Sequence, residues 1–167
     1  MIASIYRLRA HAKGAILDLW GLWADAPRRP AAWHQGRAGH SVAGMAVDLN
    51  HTIVQSRNKR ASAEFLGRIL GLPVGKDWGP FTPLETSNGV TLDYMEATSI
   101  QPNHYCFIVS EPEFDEIFAR IEEAGVEFWA DPGHHTPGEI NHLYGGRGVY
   151  FDDPDGHNME VITAPYA

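Results

Sequence analysis

Cysteine is nearly absent from this chain. Cys106 is the single one among 167 residues, so no intramolecular disulfide can support the fold, which fits a reducing, cytoplasmic compartment. It lies in the apolar run Tyr105-Cys106-Phe107-Ile108-Val109 and reads as a small buried hydrophobe rather than a nucleophile. Basic residues are also scarce, with 13 Lys+Arg against 21 Asp+Glu and a net charge of −8. The deficit is concentrated in residues 46–167, where seven basic residues face nineteen acidic ones. A body this acidic repels phosphate backbones, which excludes nucleic acid as an expected partner. Long hydrophobic runs are missing too, and the apolar stretch around residues 15–24 is far too short to span a bilayer, so no membrane partner is expected.

What remains is ordinary globular composition, 44% hydrophobic and 20% charged, in a length suited to one domain. The first 45 residues differ from the rest. They carry six basic residues against two acidic ones, and Pro27-Arg28-Arg29-Pro30 breaks any regular element. Ile16, Leu19, Trp20 and Trp23 have the spacing of a short amphipathic helix. A leader peptide is argued against by Asp18 inside the apolar stretch and by Pro27 just after the cleavage-like Ala24-Asp25-Ala26. Residues 1–45 are therefore expected to be a poorly ordered extension ahead of a natural start at Met45, with a single domain at 46–167.

From Asp48 onward a pattern appears twice. Residues 49–54 read as a strand; Ser56 opens a helix with an apolar stripe of Phe65, Leu66 and Ile69, and Gly71 caps it. A loop-rich stretch at 73–83, with room for short strand pieces, precedes a strand at 89–96. The second copy has a strand at 104–109 and the capping box Ser110-Glu111-Pro112-Glu113. A helix striped with Phe114, Ile117, Phe118 and Ile121 follows and stops at Gly125. Strands at 126–130, 148–152 and 157–163 complete it, the last two joined by the turn Asp153-Pro154-Asp155-Gly156. The modules run from about 47–97 and 101–164. The fold class is α+β, with two paired βαβββ modules forming a cupped, mostly antiparallel sheet and helices outside.

The duplication gives the histidines their meaning. His51 and His104 lie in the first strand of each copy, while Asp93 and Glu160 lie in the last strand of each. Two imidazoles and a carboxylate suit iron(II), manganese(II) or zinc(II) with open positions. Glu160 sits between Met159 and Val161, so its carboxylate needs a buried partner; a metal is one, and Arg147 is the alternative. His134, His135 and His142 lie among Pro and Gly without ligand spacing and read as solvated loop residues, although that loop could fold over the cup. His157 is expected to point away from Asn158 and Glu160. Tyr94, Tyr105, Trp129, Arg147 and Tyr150 are candidates to line a pocket, with Tyr94, Tyr105, Arg147 and Tyr150 taken as the substrate-binding set.

The run Gly148-Val149-Tyr150-Phe151-Asp152-Asp153-Pro154-Asp155-Gly156-His157-Asn158-Met159-Glu160-Val161-Ile162 resembles the closing hairpin of the vicinal oxygen chelate superfamily. That superfamily includes glyoxalase I, extradiol dioxygenases and the fosfomycin- and bleomycin-resistance proteins. The resemblance implies a divalent metal (iron, manganese, zinc or nickel) held by His51, His104 and Glu160, with Asp93 at the place of a fourth ligand. It also implies a lyase or dioxygenase acting on a small substrate that chelates the metal through oxygens, and a homodimer. The shorter Asp93 is a departure from the glutamate of glyoxalases, and the loop 144–148 is not a glyoxalase glutathione loop. A metal-free protein that binds small molecules, like those of bleomycin resistance, is the competing expectation.

Overall fold

A computed structural model describes residues 47–166, so the expectations for residues 1–45 lie outside the described residues. The first module comprises β1 (His51–Ser56), α1 (Lys59–Leu70), β2 (Phe81–Glu85) and β3 (Thr91–Glu96). The second comprises β4 (His104–Ile108), α2 (Glu111–Glu123), β5 (Phe128–Trp129), β6 (Gly148–Asp152) and β7 (Asn158–Ile162). A bridge from Val74 to Leu84 stands where the first module needs its second strand, so both units follow the βαβββ plan.

Each module builds its own mixed sheet, ordered β1-β3-β2 and β4-β7-β6-β5. In both, the first strand pairs parallel with the last and is left as a sheet edge. The register repeats as well. Ile53 is opposite Asp93 and Cys106 is opposite Glu160, each two residues beyond the strand-opening histidine. The internal repeat therefore gives His51 and Asp93 the same register relation as His104 and Glu160.

Side-chain alternation separates two faces. Val54, Leu84, Leu92 and Tyr94 join Val149, Phe151, Met159 and Val161 in one core with Leu66, Phe114, Ile117 and Ile121 of the helices. The opposite, open face carries His51, Ile53 and Asp93 in one module and His104, Cys106, Ile108, Tyr150 and Glu160 in the other. Cys106 is exposed, which corrects the expectation of a buried hydrophobe: β4 is an edge whose alternate residues face outward.

Local signals account for the helices. Ser110 donates to Glu113 Oε2 through both its backbone N–H at 2.7 Å and its hydroxyl at 2.6 Å, fixing the start of α2. For α1 the cap is Asn58, whose side chain accepts from the Ala61 N–H at 3.0 Å. Ser56 stays in β1 and is buried, its hydroxyl donating to the Met95 carbonyl. Gly71 ends α1 at φ 73°, a left-handed conformation that glycine adopts without strain.

The turn at 153–156 locks the modules together. Asp153 Oδ1 accepts the N–H groups of Asp155 and His157 at 2.9 and 2.8 Å. Asp155 reaches across to the start of α1, accepting from the Arg57 N–H at 3.0 Å and the Ser62 hydroxyl at 2.6 Å. His157 is fully buried; its Nε2–H donates to the Gln55 carbonyl at 2.7 Å, and its Nδ1 accepts the Asn103 N–H at 3.0 Å. Burial holds the Asp153 carboxyl above the usual range, opposed by the His157 backbone N–H.

Candidate metal centre

Glu160 projects from the middle of β7 onto the open face yet is 1% exposed, because neighbouring side chains close over it. His104, on the adjacent edge strand, brings Nε2 to 3.0 Å from Glu160 Oε2. The other ring nitrogen, Nδ1, lies 3.1 Å from Asn158 Oδ1. An amide oxygen only accepts, so Nδ1–H donates to it. A protonated ring donates Nε2–H to the carboxylate; with a neutral ring, the Nε2 lone pair and the carboxylate could share a cation. Two cis ligands of a metal with bonds of about 2.1 Å stand about 3.0 Å apart, so the pair also has the spacing of ligands to one ion.

His51 is prepared in the same way. Its Nδ1 is 2.8 Å from Asn50 Oδ1, matching the His104 Nδ1 contact with Asn158. His51 belongs to the other sheet, however, and among the described residues no three of His, Cys, Asp and Glu are gathered as a metal-binding group. One chain thus brings His104 and Glu160 together and holds His51 and Asp93 on a separate open face. Asp93 is 1% exposed and occupies the register position of Glu160. These residues fit a divalent ion as a two-donor half-site with an oriented third donor elsewhere.

Around the half-site lie phenols. Tyr166 donates its hydroxyl to Glu160 Oε1, and the Tyr150 hydroxyl lies 2.9 Å from that of Tyr166. Since Tyr166 spends its proton on the carboxylate, Tyr150 donates to Tyr166. Burial and then the Glu160 carboxylate push the Tyr166 phenol up to about 12 and the Tyr150 phenol well above its ordinary value. The same two causes push the Cys106 thiol up to about 12, so this exposed cysteine is a poor nucleophile.

The remaining residues singled out from sequence go elsewhere. Tyr94 is fully buried in the core, and Tyr105 packs against that core with its ring edge-on to His157 at 5.7 Å. Arg147 lies against α2, donating to Glu111 Oε2 and Asp115 Oδ1 at 2.7 Å each, with its guanidinium 4.4 Å over Phe114. Its pairing with Asp115, then with Glu111, raises its pKa and occupies its charge. The loop histidines separate. His135 pairs with Asp131, His142 is exposed, and His134 stacks on Trp129 at 3.7 Å and meets Asn158 Nδ2 at 3.1 Å. Asn158, Asn50, His134 and Tyr166 were not identified from sequence as site residues. Only Asn158 had a usable signal, since it lies two residues before Glu160 on the same face.

A profile of the glyoxalase/bleomycin resistance protein/dioxygenase superfamily matches residues 48–161. The chain belongs to that superfamily. Among its relatives, the glutathione transferase FosA of Serratia marcescens is 31% identical over 74% of this chain and 85% of its own length. The metallothiol transferase FosB of Shouchella clausii (strain KSM-K16) is 36% identical over 38% of this chain and 40% of its own. Among solved structures, the oxidase ChaP-H2 is 59% identical, with a TM-score of 0.73 over 74% of this chain and 98% of that one. The oxidase ChaP-H1 is 54% identical, with a TM-score of 0.71 over 73% and 99%. The superfamily's α+β plan of paired modules is the plan seen here. Among the described residues no helix is long and apolar enough to cross a membrane.

Proposed function

We propose that this chain is one subunit of a homodimeric, divalent-metal-dependent enzyme that oxidises a small substrate bound through its oxygens. The ion would be held by His104 and Glu160 of one chain and His51 of a second. The observation that carries this reading is the 3.0 Å approach of His104 Nε2 to Glu160 Oε2 with Nδ1 already tied to Asn158. When bound, the ion supplies Lewis acidity toward substrate oxygens and, as iron or manganese, redox chemistry.

The dimer is supported by what the monomer leaves uncovered. β1 and β4 are both edge strands, and Ile108 of β4 and Leu49, which precedes β1, are 61% and 67% exposed. Exposed apolar edges invite strand pairing, and pairing β1 with β4 of a second copy would bring the two histidine-bearing edges together. Oxidation is favoured over thiol transfer by 59% identity with an oxidase along 98% of its length, against 31% with the glutathione transferase. The lining agrees. Phenols and a protonated thiol surround Glu160, and Arg147 is engaged by α2, which suits a neutral aromatic substrate better than an anionic one. Within the site the Tyr150 and His104 rings, 6.1 Å apart, form one wall.

The test is metal analysis and sedimentation of untagged protein. The expected result is a dimer with close to one ion per chain and dioxygen uptake with aromatic diol or quinol probes. A protein that stays metal-free after reconstitution contradicts this reading and favours the metal-free binding protein.

A further inference from the structure

The tail beyond β7 does more than finish the chain. Thr163 and Arg147 are joined twice, Thr163 N–H to the Arg147 carbonyl at 3.0 Å and Arg147 N–H to Thr163 Oγ1 at 2.8 Å. Ala164 then passes so close to Gly146 that a Cβ on that glycine would stand 2.6 Å from the Ala164 Cβ. This contact turns the tail back over the open face. Tyr166 ends 4.9 Å from the Tyr144 ring, with its hydroxyl on Glu160 Oε1 and the Tyr150 hydroxyl behind it. Tyr144 itself sits at φ 55°, a strained conformation for a residue with a side chain, and so presents its ring to the tail.

We propose that Tyr166 is a positioning residue for Glu160: its phenol occupies Oε1 so that the carboxylate offers the metal a single oxygen, Oε2. This rests on the metal-centre reading above. A carboxylate with both oxygens available can chelate an ion in bidentate fashion and fill a position that substrate needs. Holding one oxygen in a hydrogen bond from a phenol, itself supported by Tyr150, fixes the side chain's rotation and keeps that position open. Hydrogen-bonded partners of metal ligands typically contribute about 10–100-fold in affinity or activity. The tail thus acts through the ligand and not on the substrate.

The experiment titrates metal-free wild-type protein, Tyr166→Phe and a chain ending at Pro165 with cobalt(II), reading affinity and the visible ligand-field spectrum. Near-ultraviolet circular dichroism checks that the fold is retained. Tyr166→Phe is expected to shift cobalt affinity about 10–100-fold, with visible bands weakened as the released second oxygen of Glu160 raises the coordination number. The shortened chain should match it. Wild-type affinity and a superimposable spectrum for Tyr166→Phe overturn the proposal while leaving the metal centre standing. Loss confined to the shortened chain also overturns it, because packing of the tail would then matter and the hydroxyl would not. Absence of cobalt binding by all three proteins overturns the metal-centre reading together with this one.

Discussion

Replacing Asp155 with alanine should unfasten the two modules. The carboxylate accepts from the Ser62 hydroxyl at 2.6 Å, from the Arg57 N–H at 3.0 Å and from the Arg57 guanidinium at 3.2 Å. Its own side chain is 2% exposed and Ser62 is equally buried, so water does not replace the lost acceptor. A buried donor left without a partner costs about 1–3 kcal/mol, and the Ser62 hydroxyl becomes one, while the N–H of the exposed Arg57 only loses a bond. The Arg57 side chain is 69% exposed and adds little. Ser62 recovers part of the loss by turning to the carbonyl one helical turn back. The expected cost is about 1–3 kcal/mol, or roughly a 3–12 °C fall in Tm. Urea unfolding of Asp155→Ala, Ser62→Ala and the double variant measures it. The two single losses should not add, because they remove one shared bond. Full additivity, or a loss below about 0.5 kcal/mol, would refute the idea that this turn fastens the modules.

Three further outcomes follow from the site and its surroundings. Asn158→Ala should weaken metal binding about tenfold, since His104 then loses the partner that fixes its tautomer; competition titration against a chromophoric chelator reads this. Asp93→Ala should keep the metal, the shorter carboxylate being one methylene short of the role Glu160 plays, whereas Glu160→Ala should lose it; metal analysis of both variants separates three ligands from four. Burial raises the Asp131 carboxyl, but that effect is outweighed by the His135 backbone N–H and ring, then by the N–H groups of Thr136 and Gly133, leaving it at about 2. Its folded value is below the ordinary aspartate value, so its stabilising contribution is complete above that ordinary value and is lost as pH falls through about 2. Carbon-detected NMR titration of Asp131 should show a midpoint near 2, and an unshifted midpoint would contradict the bonding of that turn.

Much of the fold is legible in the chain because its signals are local. The Ser110–Glu113 box, Gly71, and the alternation along 148–152 and 158–162 are all decided by neighbours in sequence. Strand β2 was harder to see, since Pro83 interrupts the pattern and pairing with β3 overrides it. The repeat also revealed which residues are equivalent, and the register of Ile53 with Asp93 and Cys106 with Glu160 bears that equivalence out. Equivalence did not reveal that one chain would keep the equivalent pairs on separate sheets. That depends on how the helices pack and on the Asp155 and His157 contacts between modules, which join residues far apart in the chain. The partners of the candidate ligands were hidden for a similar reason. Tyr166 reaches Glu160 only because the tail turns at Gly146, and Arg147 is drawn away by two carboxylates on α2.

The central claim, a metal site shared between two chains, is tested most directly by mixing two inactive proteins. His51→Ala and Glu160→Ala should each lack metal when pure. After unfolding and refolding together in equal amounts, half of the dimers pair one variant with the other, and each of these contains one site with all three ligands intact. The mixture is therefore expected to regain about a quarter of the wild-type metal content. A mixture as empty as its parents, or a His51→Ala protein that keeps its full complement of metal on its own, would contradict the shared site.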